Sequence, residues 1–292
     1  MKLTIKNISK TYNNGVKALS DVNLTIEKGM FGLLGPNGAG KSSIMRTLAT
    51  LQEPDAGDIL FDDWSIFKNR DRFRHMLGYL PQEFGVYPNV TAVDLLNYFA
   101  RLKGVASASN RRRLVDELLE LVNLTSARDK AVDTFSGGMK QRFGIAQALI
   151  GRPKVIIVDE PTAGLDPAER NRFYGILHKL GEDAIVILST HIVGDVTNLC
   201  KDMAIISAGM IQARGKPIEL IKEMDGKLWQ KTTTSEELNE LRSQFKVIAS
   251  RLHQGEIQTI IESDECPGLS FVSKKADLED YYFSFIPELT VE

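Results

Sequence analysis

The sequence predicts a doubly wound α/β fold, and three stretches predict it. Val155-Ile156-Ile157-Val158 is a continuous apolar run, the pattern of a strand buried on both faces of a parallel sheet. Ala184 to Leu188 is a second such run, and a helical pattern from about Pro167 to Leu180 lies between them, which makes a βαβ unit. Met30 to Leu34 is a shorter apolar run that leads through a glycine-rich turn into Ile44, Met45, Leu48 and Ala49 at helical spacing.

Around that core the remaining elements fall in order. Leu3, Ile5 and Ile8, then Val22, Leu24 and Ile26, read as half-buried strands flanking a turn at Asn13-Asn14-Gly15, an N-terminal antiparallel β part. Tyr12 precedes that turn, where it either packs as an amphipathic side chain or stacks on a base. Gly57 to Phe61 and Leu77 to Leu80 are short strands, the second ending at Pro81-Gln82. From Thr91 to about Val122 the spacing turns helical, through Val93, Leu95, Leu96 and Phe99 and then Leu114, Val115, Leu118 and Leu119, so a helical insertion occupies about 83–135. Arg111-Arg112-Arg113 opens its second helix and reads as a solvated face, with docking to a partner or to anionic headgroups as the alternative. Another helix begins after Ser136-Gly137-Gly138, carries Ile145, Ala148 and Leu149, and stops at Gly151-Arg152-Pro153.

Beyond about Lys216 the texture changes to short strands at Trp229 to Thr234, Phe245 to Ser250 and Ile257 to Ile261, with helical segments at Glu236 to Leu241 and near Leu278 to Phe283. The chain therefore divides into a first domain, 1–216, and a small α+β appendage, 217–292.

Composition narrows the classes of function. The 292 residues are 43% apolar and 25% charged, ordinary for a soluble globular protein. A formal net charge of -2 removes any general electrostatic case for nucleic acid. Two cysteines, Cys200 and Cys266, stand in no metal or disulfide spacing, which fits a reduced cytosol. No apolar run approaches the roughly 20 residues that span a bilayer, and Met1 to Lys10 alternates without a signal-peptide pattern. No internal repeat is visible.

The glycine-rich turn carries the chemistry. Gly35-Pro36-Asn37-Gly38-Ala39-Gly40-Lys41-Ser42-Ser43 has the form G-x-x-x-x-G-K-[ST], the phosphate loop of P-loop NTPases. Its glycines let successive N–H groups converge on an anion, and the following helix N-terminus adds partial positive charge. Lys41 is then expected on the β- and γ-phosphates and the Ser42 hydroxyl on Mg²⁺. Asp159 and Glu160 close a buried strand at the sheet edge where ligands collect. Asp159 is expected to hold Mg²⁺ and Glu160 to orient and deprotonate the attacking water; the alternative for Glu160 is a solvated loop acid.

Ser136-Gly137-Gly138 followed by Met139-Lys140-Gln141-Arg142 is similar to the signature motif of ABC proteins, although Ser136 alone reads as a helix cap. With the phosphate loop and Asp159-Glu160, the stretch from Met1 to Lys216 resembles the ATP-binding subunit of an ABC transporter. The resemblance implies that two subunits close head to tail over two ATP molecules, Ser136, Gly137 and Gly138 of one completing the site of the other. It further implies that Tyr12 stacks on adenine, that Asn37, Gly38, Ala39 and Ser43 join Gly35, Gly40, Lys41 and Ser42 in holding the phosphates, and that Gln82 senses Mg²⁺ and the attacking water. His191 resembles the switch histidine on the γ-phosphate, and Ala163-Gly164-Leu165-Asp166 the loop that links the two sites. Phe135, Met139 and Ala163 depart from the family's usual Leu, Gln and Ser; the first two leave ATP binding intact, and the third touches coupling between sites.

Gly78 to Gln82 and the tail near Leu278 to Tyr281 are similar to ABC-2-type exporter ATPases. That resemblance implies an ATPase, as a homodimer or with a paralogue, that powers a separate polytopic permease and sits peripherally on the inner face of the cell membrane. Phe84, Val86 and Tyr87 are then either a docking surface for the permease's cytoplasmic helix or core packing. The rival is a soluble single-cassette ATPase such as a cluster-assembly scaffold. A translation factor would carry two cassettes and a DNA-repair ATPase a long inserted coiled coil, and neither pattern is present.

Overall fold

The computed structural model describes residues 1–85, 87–162 and 164–286, in two units, Met1–Ile211 and Gln212–Glu292. The division falls a few residues ahead of the expected 216, inside a strand.

In the first unit, β1 (Lys2–Thr11) and β2 (Lys17–Glu27) pair antiparallel, with Leu3, Ile5 and Ile8 opposite Ile26, Leu24 and Val22. This is the alternating pattern the sequence carries. β3 (Gly29–Leu34) enters the central sheet and feeds through the phosphate loop into α1 (Lys41–Leu48). β4 (Ala56–Phe61) returns to β1, and β5 (Trp64–Ser65) adds to β4, completing a four-stranded sheet in the order β2-β1-β4-β5. α2 (Arg70–His75) leads to β6 (Leu77–Leu80). The helical insertion holds α3 (Ala92–Leu102) and α4 (Ala108–Leu121), each opened by a hydroxyl cap: Thr91 accepts from the Asp94 N–H and Ser107 from the Asn110 N–H. Arg111 donates to the Val105 and Ala106 carbonyls at 2.9 and 2.6 Å, so it staples the turn between these helices, while Arg112 and Arg113 are exposed.

α5 (Gly137–Ala148), β7 (Val155–Asp159), α6 (Pro167–Gly181), β8 (Ile185–Thr190), α7 (Val193–Leu199), β9 (Asp202–Ser207) and β10 (Met210–Gly215) follow. The central sheet runs β10-β9-β3-β8-β7-β6, with β3, β6, β7, β8 and β9 paired parallel. Every residue of β7 and β8 is buried, as their unbroken apolar runs predict. Because Leu34 pairs with Thr190 and Asp159 with Ser189, the chain leaves β3, β7 and β8 at one level of one sheet edge. α1 is sandwiched between the two sheets: Ile44, Met45 and Leu48 join Leu3, Ile5, Phe31, Val155 and Ile187 in a single core. At about 1.5–3 kcal/mol for each fully buried aliphatic side chain, that packing fixes the end of the helix on which the phosphate loop rests.

The second unit comprises α8 (Pro217–Lys222), β11 (Leu228–Thr233), α9 (Ser235–Gln244), β12 (Lys246–His253), β13 (Glu256–Glu262), β14 (Val272–Ser273) and α10 (Leu278–Phe285). Its antiparallel sheet has the order β12-β13-β11-β14. Thr234 with Glu237 and Asp277 with Asp280 form reciprocal caps that start α9 and α10. Among the described residues no helix is long and apolar enough to cross a membrane.

Candidate active site

The phosphate loop owes its shape to what surrounds it. A Cβ on Gly35 would lie 2.4 Å from the Ile206 carbonyl oxygen, and one on Gly40, where φ is +105°, would lie 2.5 Å from the Ala18 carbonyl oxygen. Only glycine fits either place. The Ala39 N–H closes the loop onto the Pro36 carbonyl at 3.2 Å, and its carbonyl accepts from the Gly209 N–H at 2.9 Å. α1 starts at Gly40 without a side-chain cap, so the N–H groups of its first turn are left for an anion.

Three side chains meet at the mouth of this loop. Lys41 Nζ donates to the Gly35 and Pro36 carbonyls at 2.7 and 3.0 Å and pairs with Glu160 Oε1 at 3.2 Å. The other Glu160 oxygen is 3.0 Å from His191 Nδ1. Lys41 and Glu160 are only 4% and 7% exposed, so Glu160 is not a solvated loop acid. It reaches this position because its backbone turns left-handed at φ 48°, held by an N–H bond of 3.0 Å to the Ser189 carbonyl. For a residue with a Cβ that conformation costs roughly 1–2 kcal/mol, well within what the buried β7 supplies.

Asp159 faces the other way. Its Oδ1 accepts from the Ser189 hydroxyl, and the Ser42 side chain also hydrogen-bonds to it. Burial pushes the Asp159 carboxyl above the usual carboxylate range; the Ser189 and Ser42 hydroxyls and Lys41 oppose that push, and the neighbouring Glu160 charge adds to it. Hydroxyl and carboxylate oxygens at the end of a phosphate loop are hard ligands, the kind Mg²⁺ takes alongside phosphate oxygens and water. The residues present therefore fit Mg²⁺.

A cleft of about 700 Å³ gathers Tyr12, Asn37, Gly38, Gly40, Lys41, Ser42, Ser43, Gln82, Glu160 and His191. Ten of the residues singled out in the sequence thus share one wall or another of a single opening, which is large enough for a nucleotide. Gly35 and Ala39 brace the loop from behind. Tyr12 is half-buried and tethered by its hydroxyl, 3.0 Å from Ser43 Oγ and 3.1 Å from Gln52 Oε1. Gln82 is exposed, just beyond β6.

Ser136, Gly137 and Gly138 do not line this cleft. Ser136 caps α5, its Oγ accepting from the Met139 N–H at 3.2 Å, and both Ser136 and Gly137 are exposed. The start of α5 is pinned by Arg142, which donates to the Val122 and Asn123 carbonyls and pairs with Glu169 of α6 at 3.2 Å. Phe84 packs toward Gly144 of α5, whereas Tyr87 is 59% exposed. Val86 and Ala163 lie outside the described residues.

Val16, Lys17, Ala18, Ala208 and Gly209 also line the cleft and have no motif that announces them. Gln52, which orients Tyr12, is likewise silent in the sequence.

A family model described as "ABC transporter" matches residues 19–163. Over 292 aligned residues the chain is 33% identical to the Nod factor export ATP-binding protein I of Cupriavidus metallidurans, covering 96% of this chain and 95% of that protein. It is 34% identical over 236 residues to the probable multidrug ABC transporter ATP-binding protein YbhF of Escherichia coli; there the match covers 80% of this chain and spans 41% of the longer protein's length. Among solved structures, the dimeric structure of MJ0796, a bacterial ABC transporter cassette, superposes with a TM-score of 0.68 at 27% identity, over 73% of this chain and 98% of that one.

Proposed function

The chain belongs to the ABC transporter family of ATP-binding proteins, and from that premise we propose that it is the ATPase subunit of an exporter. In this reading it binds Mg²⁺ and ATP, closes head to tail with a second copy or a paralogue, and drives a separate polytopic permease from the cytoplasmic face of the cell membrane. The observation that carries the proposal is the Lys41–Glu160–His191 chain of contacts in a cleft beside the phosphate loop, with Ser136 and Gly137 exposed at the start of a different element, α5. The cleft holds a base, a cation and a phosphate cradle, and the second half of the family's site is displayed for another molecule.

Each side chain has a task in that scheme. Tyr12 stacks on adenine, and the loop N–H groups of Asn37 to Ser43 take the phosphates. Lys41 exchanges its Glu160 partner for phosphate oxygens, which frees Glu160 to accept the proton of the attacking water. His191, already against Glu160, and Gln82, at the cleft's rim, steady that water. Ser42 and Asp159 hold Mg²⁺, which when bound neutralises charge on the β- and γ-phosphates.

A groove of about 360 Å³ on the first unit suits the permease's cytoplasmic helix. Leu51 and Leu102 at its rim are 62% and 65% exposed, and Tyr79 and Phe99 line its floor. Exposed aliphatic side chains around a preformed groove support docking of an apolar helix face. Relatives named for multidrug and Nod factor export favour this reading over a soluble assembly scaffold.

Two measurements test the proposal. Hydrolysis per subunit should rise with protein concentration across the dimerisation range; a strictly constant specific activity would contradict the shared site. Affinity purification from detergent-solubilised membranes should bring down a polytopic protein, and Leu102→Glu should abolish that capture. Recovery of only soluble partners would transfer the chain to the scaffold class.

A further inference from the structure

Asp195, in the first turn of α7, is wholly buried and touches neither the phosphate loop nor the cleft. Among the described residues, three hydroxyls from three separate elements donate to it. Thr162 Oγ1, in the loop after β7, donates to Oδ2 at 2.5 Å, and Thr190 Oγ1, at the end of β8, donates to the same oxygen at 2.9 Å. The Tyr174 hydroxyl of α6 donates to Oδ1 at 2.5 Å. Burial, then the bond to Asp195, pushes the Tyr174 phenol far up, so it remains a donor at any working pH.

The positions of those hydroxyls give the network its meaning. Thr162 lies two residues beyond Glu160, and Thr190 immediately precedes His191. Thr190 Oγ1 also accepts from the Ile192 N–H at 2.9 Å, so the backbone is clamped on both sides of His191. Glu160 and His191 come from different loops, yet their side chains meet at 3.0 Å. One carboxylate bonds to both of those loops. An apolar side chain would fill the same space without the desolvation a buried charge incurs, so the charge makes sense as a fixed acceptor that sets three hydroxyl directions.

We propose that Asp195 is a positioning residue for ATP hydrolysis, which, through Thr162 and Thr190, locks the loops bearing Glu160 and His191 in the register that activates water. The proposal rests on the functional reading above. It assigns Asp195 no contact with nucleotide, so it predicts a defect in turnover and not in binding.

Thr190→Val is the sharpest variant, because it keeps the shape and deletes both bonds, while Thr190→Ser keeps the hydroxyl and loses only the methyl. With the full chain, phosphate release at saturating Mg²⁺ and ATP, equilibrium binding of a fluorescent ATP analogue, and thermal unfolding are measured for each. Thr190→Val should lower kcat at least about tenfold, since displacements on the order of 1 Å in a catalytic pair have effects of that size or larger, with analogue affinity within about twofold of wild type. Thr190→Ser should restore kcat to near the wild-type value, and Thr162→Val should repeat the Thr190→Val result in milder form. Asp195→Asn adds support if folded, and the Thr variants decide the matter if it is not. Equal losses for Thr190→Ser and Thr190→Val would show that packing, not the hydroxyl, matters, and undiminished kcat in Thr190→Val would overturn the proposal outright. A wild-type chain that releases no phosphate would instead defeat the functional reading itself.

Discussion

Glu160→Gln preserves the size of the side chain and removes its charge, and the structure states the consequence for both of its partners. Lys41 Nζ loses a carboxylate at 3.2 Å in a place where both side chains are less than a tenth exposed, but it keeps the Gly35 and Pro36 carbonyls at 2.7 and 3.0 Å. Breaking a buried ion pair costs about 3–5 kcal/mol, and the two retained acceptors put this case near 3. In a unit of this size that corresponds to a fall in Tm of roughly 6–12 °C without nucleotide. A triphosphate supplies the missing negative charge, so saturating ATP should raise the Tm of the variant by more than it raises that of the wild type. Turnover moves oppositely: with no carboxylate to take the proton of water, kcat should fall by about 10²–10⁴, and the ATP-bound dimer should accumulate on size exclusion. Thermal unfolding with and without Mg²⁺ and ATP, together with phosphate release, reads both effects. A kcat within tenfold of wild type would remove Glu160 from the role of base, and equal ATP-induced shifts in the two proteins would refute the sharing of Lys41 between carboxylate and phosphate.

Gly40→Ala puts a Cβ 2.5 Å from the Ala18 carbonyl at a φ of +105°, so it should cost about 2–4 kcal/mol in denaturant unfolding and abolish ATP binding. Lys41→Ala and Ser136→Arg should each be inactive alone, whereas an equimolar mixture should recover up to about a quarter of wild-type hydrolysis, because half of a randomly paired two-fold dimer population carries one intact site of two. No recovery on mixing would argue against completion of the site by a second subunit. Tyr12→Ala should weaken binding of a fluorescent ATP analogue by up to about tenfold through loss of stacking, while Tyr12→Phe, which loses only the tether to Ser43 and Gln52, should stay within about threefold.

What the sequence disclosed and what it hid follow from how each feature is encoded. β7 and β8 are buried on both faces, so Val155 to Val158 and Ile185 to Leu188 are apolar without a break and each run announces itself; the glycines of the phosphate loop stand at fixed spacing because their own backbone demands it. β10, with alternating exposure over Met-Ile-Gln-Ala-Arg-Gly, has no such signal, and the seven-residue α7 is too short for a helical period to stand out. The silent parts of the site are side chains whose partners are far away in the chain: Gln52 meets Tyr12 across 40 positions and Asp195 meets Thr162 across 33. Gly209 is constrained by the Ala18 carbonyl, which no local pattern can register. Asp159 and Glu160 show the limit most clearly. As neighbouring letters they are two acids at a strand end to which the sequence assigns separate tasks without showing what directs each carboxylate. Asp159, still in register with Ser189, keeps its carboxylate on the Ser189 and Ser42 hydroxyls, whereas the left-handed turn at Glu160 swings the next carboxylate to Lys41 and His191. The separation of the two carboxylates, one on the Ser189 and Ser42 hydroxyls and the other on Lys41 and His191, therefore rests on one backbone angle, and the Ser189 carbonyl that fixes that angle belongs to the strand that also carries Thr190, which bonds to Asp195.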